Sequence, residues 1–319
     1  MIIRAVNFLR CRLALWVEER KISKSLFLAK LFSPGPDSLI RHRRRHPPPL
    51  ILPTRSHLIY HQASVDALCA RNSLESLAGQ IPVEDEVVLL DVGGTMSPEA
   101  LAPFAQHAWR SYVACATPHP EQRSYTYGLN AVVPGLKAPV FFVWRTDYVY
   151  PRGMMADYRR HLEQGARFAA PYAVFVGKPH VDSAFVRDHW DRIANYDRAF
   201  WEPLSYVASL YETQDPALFA MTRKLWDRIG GLNHELWGYG FQFAELAIRV
   251  RNRCPARRIA YFGTPPPLHQ SHEGSMMYQP ADRQQEVQAG IQRFRNFLGG
   301  EAAYRMFRLN DRLPPRPPA

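Results

Sequence analysis

The sequence predicts an α/β fold with a mixed, mainly parallel sheet flanked by helices, and three observations support this prediction. A strand-like run, a helical run and a second strand follow one another between residues 56 and 91. A continuously apolar strand covers Val140–Trp144. A further strand, Arg257–Phe262, comes after two helical segments. Strands that alternate with helices are typical of sheets that are mainly parallel.

The first of these regions has the pattern of a βαβ unit. Ser56–His61 is a short strand-like run, Val65–Gln80 has helical periodicity, and Glu86–Asp91 is an apolar strand. Parallel strands joined in this way bring their carboxyl ends to one edge of the sheet. The unit therefore predicts a ligand crevice at that edge.

The later elements extend the same pattern. Val140–Trp144 has no polar residue, as expected of a strand that is buried on both faces. Helices are predicted at Thr222–Ile229 and Ala244–Asn252, and arginines near the end of the second helix suit its dipole. Arg257–Phe262 then returns as a strand.

Basic charge is concentrated at the amino terminus. The chain has 319 residues and a formal net charge of +11, and residues 1–55 hold twelve Lys and Arg against three acids. A domain that binds nucleic acid more often spreads its charge over a folded face that also carries aromatic residues. We therefore expect no nucleic-acid partner.

We divide the chain into a basic amphipathic arm with a Pro/Arg linker (1–50), an α/β domain (51–300) and an extension with a Pro-rich tail (301–319). Residues 1–32 carry too many charges for a membrane span and lack the features of a signal peptide. Two alternatives remain for them: peripheral contact with an anionic membrane, or a helix packed on the domain. Arg41–Pro49 is predicted to be a solvated linker.

The four cysteines are scattered without a close pair, which suits a reducing compartment. We therefore expect a cytoplasmic protein, either free or peripheral on the inner face of a membrane. The sequence contains no Walker loop, no dinucleotide-binding glycine motif and no nucleophile elbow. The commonest kinase, dehydrogenase and hydrolase functions are thereby excluded.

The segment Ala220–Val250 carries the strongest functional signal. A helix ends in Gly-Gly, and a Trp237-Gly238-Tyr239-Gly240 turn leads into the next helix. Aromatic rings stack on the C–H faces of sugars, and glycines let the backbone approach a ligand. The segment resembles the acceptor side of inverting nucleotide-sugar glycosyltransferases of the GT-A fold, as in galactosyltransferases. The resemblance implies that Trp237 and Tyr239 shape an acceptor site.

The same resemblance places the catalytic base just after this turn, where the family carries acidic residues. Here Gln242 stands at that position, and an amide cannot accept the proton of an acceptor hydroxyl. Glu245, about one helical turn further on, is the nearest carboxylate. Glu245 either replaces the base or only caps and solvates its helix.

The amino-terminal half resembles family 2 glycosyltransferases. Leu74–Leu77 matches a Leu-Glu-Ser-Leu motif in the family's first helix, and Leu90-Asp91-Val92-Gly93-Gly94 stands where the family has Val-Asp-Asp-Gly-Ser. The resemblance implies that Asp91 contacts the nucleotide base and that Val92 has lost a second acid. Tyr127–Asn130 resembles the family's Ala-Leu-Asn-x-Gly helix, which borders the donor site, and the resemblance implies that Asn130 lies there.

The apolar strand at Val140–Trp144 ends in Arg145-Thr146-Asp147, where the family has Asp-x-Asp. Asp147 takes the place of the second aspartate, and Arg145 replaces the first. The implied role is to hold the donor diphosphate through a divalent cation, Mn²⁺ or Mg²⁺. Two alternatives stay open: Arg145 binds the diphosphate directly, or Arg145 and Asp147 only pair within a loop.

Two histidines follow the last predicted strand, at His269 and His272. In similar glycosyltransferases an imidazole at this place reaches the metal or the phosphates. The resemblance therefore implies a metal site made of Asp147, His269 and His272. It requires that these side chains, together with the Trp237 loop, surround one cleft.

The resemblance covers about residues 56 to 275. It implies a GT-A fold enzyme that transfers a sugar, with inversion, from a nucleoside diphosphate sugar to a glycan or glycolipid acceptor in surface polysaccharide synthesis. The alternative is a protein that keeps the fold and binds a sugar or a partner without catalysis. That alternative rests on Val92, Arg145, Gln242 and Phe243, each of which stands where an acid is expected.

Overall fold

The structure is a computed structural model, and it describes most of the central part of the chain. The described residues are 40–44, 55–62, 65–92, 94–96, 98–114, 125–171, 173–209, 218–234, 236, 242–262, 266–272, 289–290, 292–293 and 295–296. The arm at 1–32 and the extension at 301–319 lie outside them.

The strands and helices alternate along most of the described chain. The strands are β1 (Ile40–Arg44), β2 (Ser56–Gln62), β3 (Glu86–Val92), β4 (Trp109–Ala114), β5 (Val140–Arg145), β6 (Tyr148–Val149), β7 (Phe168–Pro171), β8 (Ala173–Gly177), β9 (Ser205–Ser209), β10 (Phe219–Thr222), β11 (Ile259–Phe262) and β12 (Leu268–His269). The α-helices are α1 (Ala67–Ala78), α2 (Tyr125–Val132), α3 (Met154–Glu163), α4 (Ser183–Asp188), α5 (Trp190–Ala194), α6 (Arg198–Leu204), α7 (Arg223–Ile229) and α8 (Gln242–Arg253). Short 3₁₀ helices cover Pro98–Phe104, Val133–Gly135 and Ala256–Arg258.

The larger sheet has the strand order β1-β4-β3-β2-β5-β10-β7-β11. Neighbouring strands from β4 to β5 are parallel, as are β7 and β11, whereas β1 and β10 run antiparallel to their neighbours. The predicted α/β architecture, with a mixed and mainly parallel sheet flanked by helices, is confirmed.

The predicted βαβ unit is β2, α1 and β3. Asp66 begins the helix, because its side chain accepts a hydrogen bond from the backbone N–H of Cys69 at 2.7 Å. β2 and β3 pair in parallel, with His61 opposite Asp91 at their carboxyl ends. The unit therefore brings polar side chains to one edge of the sheet, as the sequence predicts.

One prediction about the amino-terminal region is wrong in part. Residues 41–44, which we predicted to belong to a solvated linker, form most of β1 and pair with β4. The pairing of β1 with β4 uses backbone N–H and C=O groups, which nearly every residue type provides. Charged residues are also common in strands at the edge of a sheet, where β1 lies.

Apolar side chains from β5 alternate between two cores, one on each face of the sheet. Phe141 and Val143 belong to a core that includes residues of α2, α7 and α8. Phe142 and Trp144 belong to a core that includes residues of α1 and α3. Because both faces of β5 are buried, its sequence is a continuous apolar run and not an alternation of apolar and polar residues.

A smaller sheet has the strand order β6-β12-β8-β9. Its first strand, β6, follows β5 in the chain. β12 pairs antiparallel with β6, so that His269 stands opposite Tyr148, and it pairs in parallel with β8. Only two residues separate β5 from β6. The pairing of β6 with β12 therefore brings a distant part of the chain to the end of β5.

None of the helices in the described part of the chain is both long enough and apolar enough to cross a membrane.

A buried histidine in β2 links the stability of the fold to pH. The Nε2 atom of His57 lies 3.0 Å from a carboxylate oxygen of Asp85, and its Nδ1 atom accepts a hydrogen bond from the Trp144 indole. The pKa of His57 is lowered, because the effect of burial outweighs the attraction of Asp85.

This lowered pKa predicts that the free energy of unfolding falls when the pH drops below the ordinary histidine value of 6.5. In that range the unfolded chain binds a proton that the folded chain still excludes, whereas above it both states are neutral. Urea unfolding at about pH 7.5 and about pH 5.5 measures the change. The His57→Gln variant should lose less stability between these two values than the unsubstituted chain. An equal loss in both proteins would contradict the assignment.

Candidate active site

A buried aspartate and two histidines meet where β5 ends and β12 ends. A carboxylate oxygen of Asp147 lies 3.3 Å from Nε2 of His269 and 3.7 Å from Nε2 of His272. One possible ligand atom from each of the three residues lies within 4.8 Å of the others. The proposed meeting of Asp147 with the two histidines is therefore present in the structure.

Backbone contacts fix both histidines. The N–H of Gln270 donates to the carbonyl oxygen of Asp147 at 2.9 Å, next to the pairing of β12 with β6. The N–H of Ser271 donates to the carbonyl oxygen of Val181 at 2.9 Å. His269 and His272 are thus held on either side of two anchored residues.

Arg145 supplies the positive charge closest to Asp147. Its guanidinium forms an ion pair with the Asp147 carboxylate and also lies over the ring of Tyr148, 5.7 Å from the centroid. Burial alone would raise the pKa of Asp147. Arg145 and His269 outweigh burial and hold the pKa of Asp147 well below its usual range, so the carboxylate stays charged.

The donor atoms of this cluster fit a divalent cation. Oδ1 of Asp147 and both ring nitrogens of His272 are buried, and none has a hydrogen-bond partner within the described part of the chain. Buried polar atoms without partners are uncommon in native proteins and require an explanation such as a bound ion. Carboxylate oxygen and neutral imidazole nitrogen are both ligands for divalent metals.

Other polar side chains line the neighbouring strand ends of the larger sheet. His61 lies at the end of β2, and its two ring nitrogens are 2.8 Å from Oγ1 of Thr146 and 3.1 Å from Oγ1 of Thr95. Burial lowers the pKa of His61 despite the nearby Asp91 and Asp147, so its imidazole is neutral at neutral pH.

Asp91 holds the turn that follows β3. Its carboxylate oxygens accept hydrogen bonds from the backbone N–H groups of Thr95, at 3.3 Å, and Met96, at 3.0 Å. Asp91 therefore stabilises the loop at the same sheet edge as Asp147. Its contact with a nucleotide base stays a prediction.

Asn130 lies in α2, away from the Asp147 cluster. Its side chain binds the backbone of the segment that follows α7. Its amide accepts from the N–H of Leu232 at 2.8 Å and donates to the carbonyl oxygen of the same residue at 2.7 Å. Gly231 has a φ of +75°, and a Cβ there would lie 2.4 Å from the Asn130 side-chain oxygen. This position therefore requires glycine. Asn130 therefore fixes the backbone at Leu232, and its role at the donor site remains a prediction.

Glu245 has a different environment from the one expected of a free base. It is fully buried in α8, and both of its carboxylate oxygens bind Arg249. Arg249 also donates to the carbonyl oxygens of Ile229 and Gly231. The pair connects α8 to the Gly-Gly turn, and a role of Glu245 as catalytic base stays a prediction. Gln242 is also buried, at the start of α8.

Trp237 and Tyr239, the predicted acceptor-binding residues, lie outside the described residues.

Sequence analysis missed Gln270, which joins the histidine segment to α1. Gln270 is fully buried, and its side chain donates to the carbonyl oxygen of Cys69 at 3.0 Å and accepts from Asn72 at 2.9 Å. Its place between the two histidines was the only signal in the sequence. His61, also missed, could have been found from its position at the end of a predicted parallel strand.

No protein-family model matches the sequence, and no curated protein matches it. The fold is similar to solved structures of two glycosyltransferases. One is glucosyl-3-phosphoglycerate synthase from Mycobacterium tuberculosis in complex with phosphoglyceric acid, with 12% identity, a TM-score of 0.46, and 78% of this chain and 81% of that chain covered. The other is a mannosyltransferase from Pyrobaculum calidifontis in complex with GDP-Man and Mn²⁺, with 14% identity, a TM-score of 0.49, and 98% and 84% covered. Because both TM-scores are below 0.5, these similarities carry no argument about function. Any function proposed for this chain therefore rests on its own residues.

Proposed function

We propose that this chain is a glycosyltransferase that takes a sugar from a nucleoside diphosphate sugar, with a divalent cation at Asp147, His269 and His272. The observation that carries the proposal is the buried cluster itself, in which Asp147 and His272 present unpartnered ligand atoms at the carboxyl edge of a parallel sheet. Ligands of open α/β sheets bind at this edge.

Arg145 and a cation bound at the cluster would together supply the positive charge that the departure of a diphosphate requires. As the bond between the sugar carbon and the diphosphate oxygen breaks, negative charge grows on the phosphates. When bound, a divalent cation stabilises that charge. Arg145 lies beside Asp147 and can donate to a phosphate oxygen, since its planar guanidinium suits phosphate.

The acceptor hydroxyl must form a bond to the sugar carbon and give up its proton. We assign Asn130, Gly231 and the Glu245–Arg249 pair to positioning the segment that leads into Trp237 and Tyr239, which would contact the acceptor. Glu245 could take the proton only if Arg249 released it. The glycan or glycolipid nature of the acceptor, a role in surface polysaccharide synthesis and peripheral membrane contact through residues 1–32 belong to the same proposal.

A catalytically inactive sugar-binding or partner-binding subunit is the second candidate. The observation in its favour is that both oxygens of Glu245 are bound by Arg249, which leaves the predicted base without a free acceptor atom.

Incubation of the full chain with a panel of nucleoside diphosphate sugars, with Mn²⁺ or with EDTA, separates the two candidates. Release of nucleotide or transfer of sugar that depends on Mn²⁺ would support the enzyme. Saturable binding of a nucleotide sugar without turnover would support the binding subunit. If no nucleotide sugar bound, the enzyme and the sugar-binding subunit would both be contradicted, and only a partner-binding role would be left.

Gln270 provides a sharper test of how the metal site is built. Gln270→Leu keeps the approximate size of the side chain but removes the bonds to Asn72 and Cys69, so we expect Mn²⁺ to bind about tenfold more weakly. Titration of Mn²⁺ followed by electron paramagnetic resonance measures the affinity. The matched control is Gln164→Leu, at an exposed position that ends α3. Equal affinities in the two variants would show that Gln270 does not position the ligands.

A further inference from the structure

A cleft of about 690 Å³ opens at the edge of the larger sheet opposite the candidate active site. Its floor is formed where β5 and β7 begin and β10 ends. Thr222 fixes this arrangement, since its N–H donates to the carbonyl oxygen of Arg167 at 2.9 Å. Because β10 runs antiparallel to its neighbours, its last residue reaches the edge where theirs begin.

Positive side chains dominate the lining of this cleft. Lys137, Arg167, Arg223 and Lys224 line it together with one acid, Asp227. Arg223 already has partners, because it donates to the carbonyl oxygens of Leu136 and Pro134 and lies 3.5 Å from Asp227. The single acid is thus next to the one arginine that is held by the backbone.

Among the residues that the structure describes, the other three cations have no compensating partner. Within the described residues, the side chains of Lys137, Arg167 and Lys224 make no hydrogen bond and no ion pair. Lys137 and Lys224 are exposed, and Arg167 is half-buried. The nearby acid Glu86 is buried and paired with Arg110, so it does not neutralise them. Three uncompensated charges around one concave surface attract anions.

We propose that this cleft is a second binding site, for a phosphate-bearing ligand. A cleft of about 690 Å³ has room for more than one phosphate group, so both a diphosphate and a phospholipid headgroup can enter it. Arginine and lysine together provide both bidentate and single contacts to phosphate oxygens. The site lies at the opposite edge of the sheet from Asp147 and does not depend on the activity proposed above.

The test measures binding of two phosphate sources to the full chain in EDTA, which removes any divalent cation from the Asp147 cluster. The first probe is inorganic pyrophosphate, followed by calorimetry. The second is vesicles of phosphatidylglycerol in phosphatidylcholine, followed by sedimentation. The test variant is the double substitution Arg167→Gln and Lys224→Gln. The control is Arg71→Gln with Arg152→Gln, which removes the same charge at exposed positions outside the cleft.

We expect one of the probes to bind, with an affinity that falls as salt is raised and that is at least about tenfold weaker in the double variant than in the control. Binding of pyrophosphate would identify a soluble phosphate ligand, and binding of vesicles alone would identify a lipid headgroup. Failure of both probes to bind would overturn the proposal. Equal affinities in the two double variants would overturn it as well, since the attraction would then come from the total charge.

Discussion

The Asp147→Asn variant should lose high-affinity binding of Mn²⁺ and at least about a hundredfold of the transfer rate. Asp147 is the only carboxylate of the metal cluster among the described residues, and its Oδ1 atom is buried without a hydrogen-bond partner there. Asparagine keeps the size of the side chain but has no negative charge to bind a cation or to balance Arg145. Initial rates and Mn²⁺ titrations on the same preparations measure the two effects.

The matched control is Asp191→Asn, which removes an exposed acid of α5 and should leave both measurements unchanged. Arg145→Gln distinguishes the two ways in which the diphosphate can be held. If the cation holds it, Arg145→Gln should retain a dependence on Mn²⁺. If Asp147→Asn kept the Mn²⁺ affinity of the unsubstituted chain, the cluster would not be a metal site.

The Glu245→Gln variant should lower the free energy of unfolding by about 3–5 kcal/mol. The substitution leaves Arg249 buried without its counter-charge, at a point where it also binds the carbonyl oxygens of Ile229 and Gly231. Breaking one side of a buried ion pair is costly because the remaining charge stays out of water. Denaturant unfolding measures the loss.

The exposed pair Arg198–Glu202 has the same spacing on a helix and serves as the comparison. Glu202→Gln should leave the stability unchanged within the error of the measurement. The same pair of variants also tests the two roles of Glu245. If Glu245 were the catalytic base, Glu245→Gln would abolish transfer and leave the unfolding curve close to that of Glu202→Gln.

Four of the eight strands of the larger sheet, β2, β3, β5 and β11, were predicted because each includes a short apolar run, whereas β1, β4, β7 and β10 were not. The predicted limits of β2, β3 and β5 differ from the observed ones by a single residue each, at the carboxyl end. β1 was missed, since a run of basic residues has no apolar alternation to mark a strand. Its pairing with β4 depends on backbone hydrogen bonds, which leave no pattern in the side chains.

The candidate site was only partly predictable. Asp147, His269 and His272 were predicted because their segments resemble the segments of glycosyltransferases that reach the metal or the phosphates, and the structure brings the three side chains together. The environment of Glu245 could not be read from the sequence, because the spacing of Glu245 and Arg249 also occurs in exposed helical pairs. Their burial depends on α8 packing against the turn after α7, which is a property of the folded chain.

The central position of β12 in the smaller sheet has a consequence for how the protein acquires its proposed activity during synthesis. All strands of the larger sheet are complete once the chain has been made as far as Phe262. A chain interrupted there would hold Asp147 at the end of β5, but both imidazoles and the strand that pairs with β6 and β8 would be missing. Translation therefore has to pass His272 before the three ligands can coexist, and no shorter fragment can bind a cation through all of them.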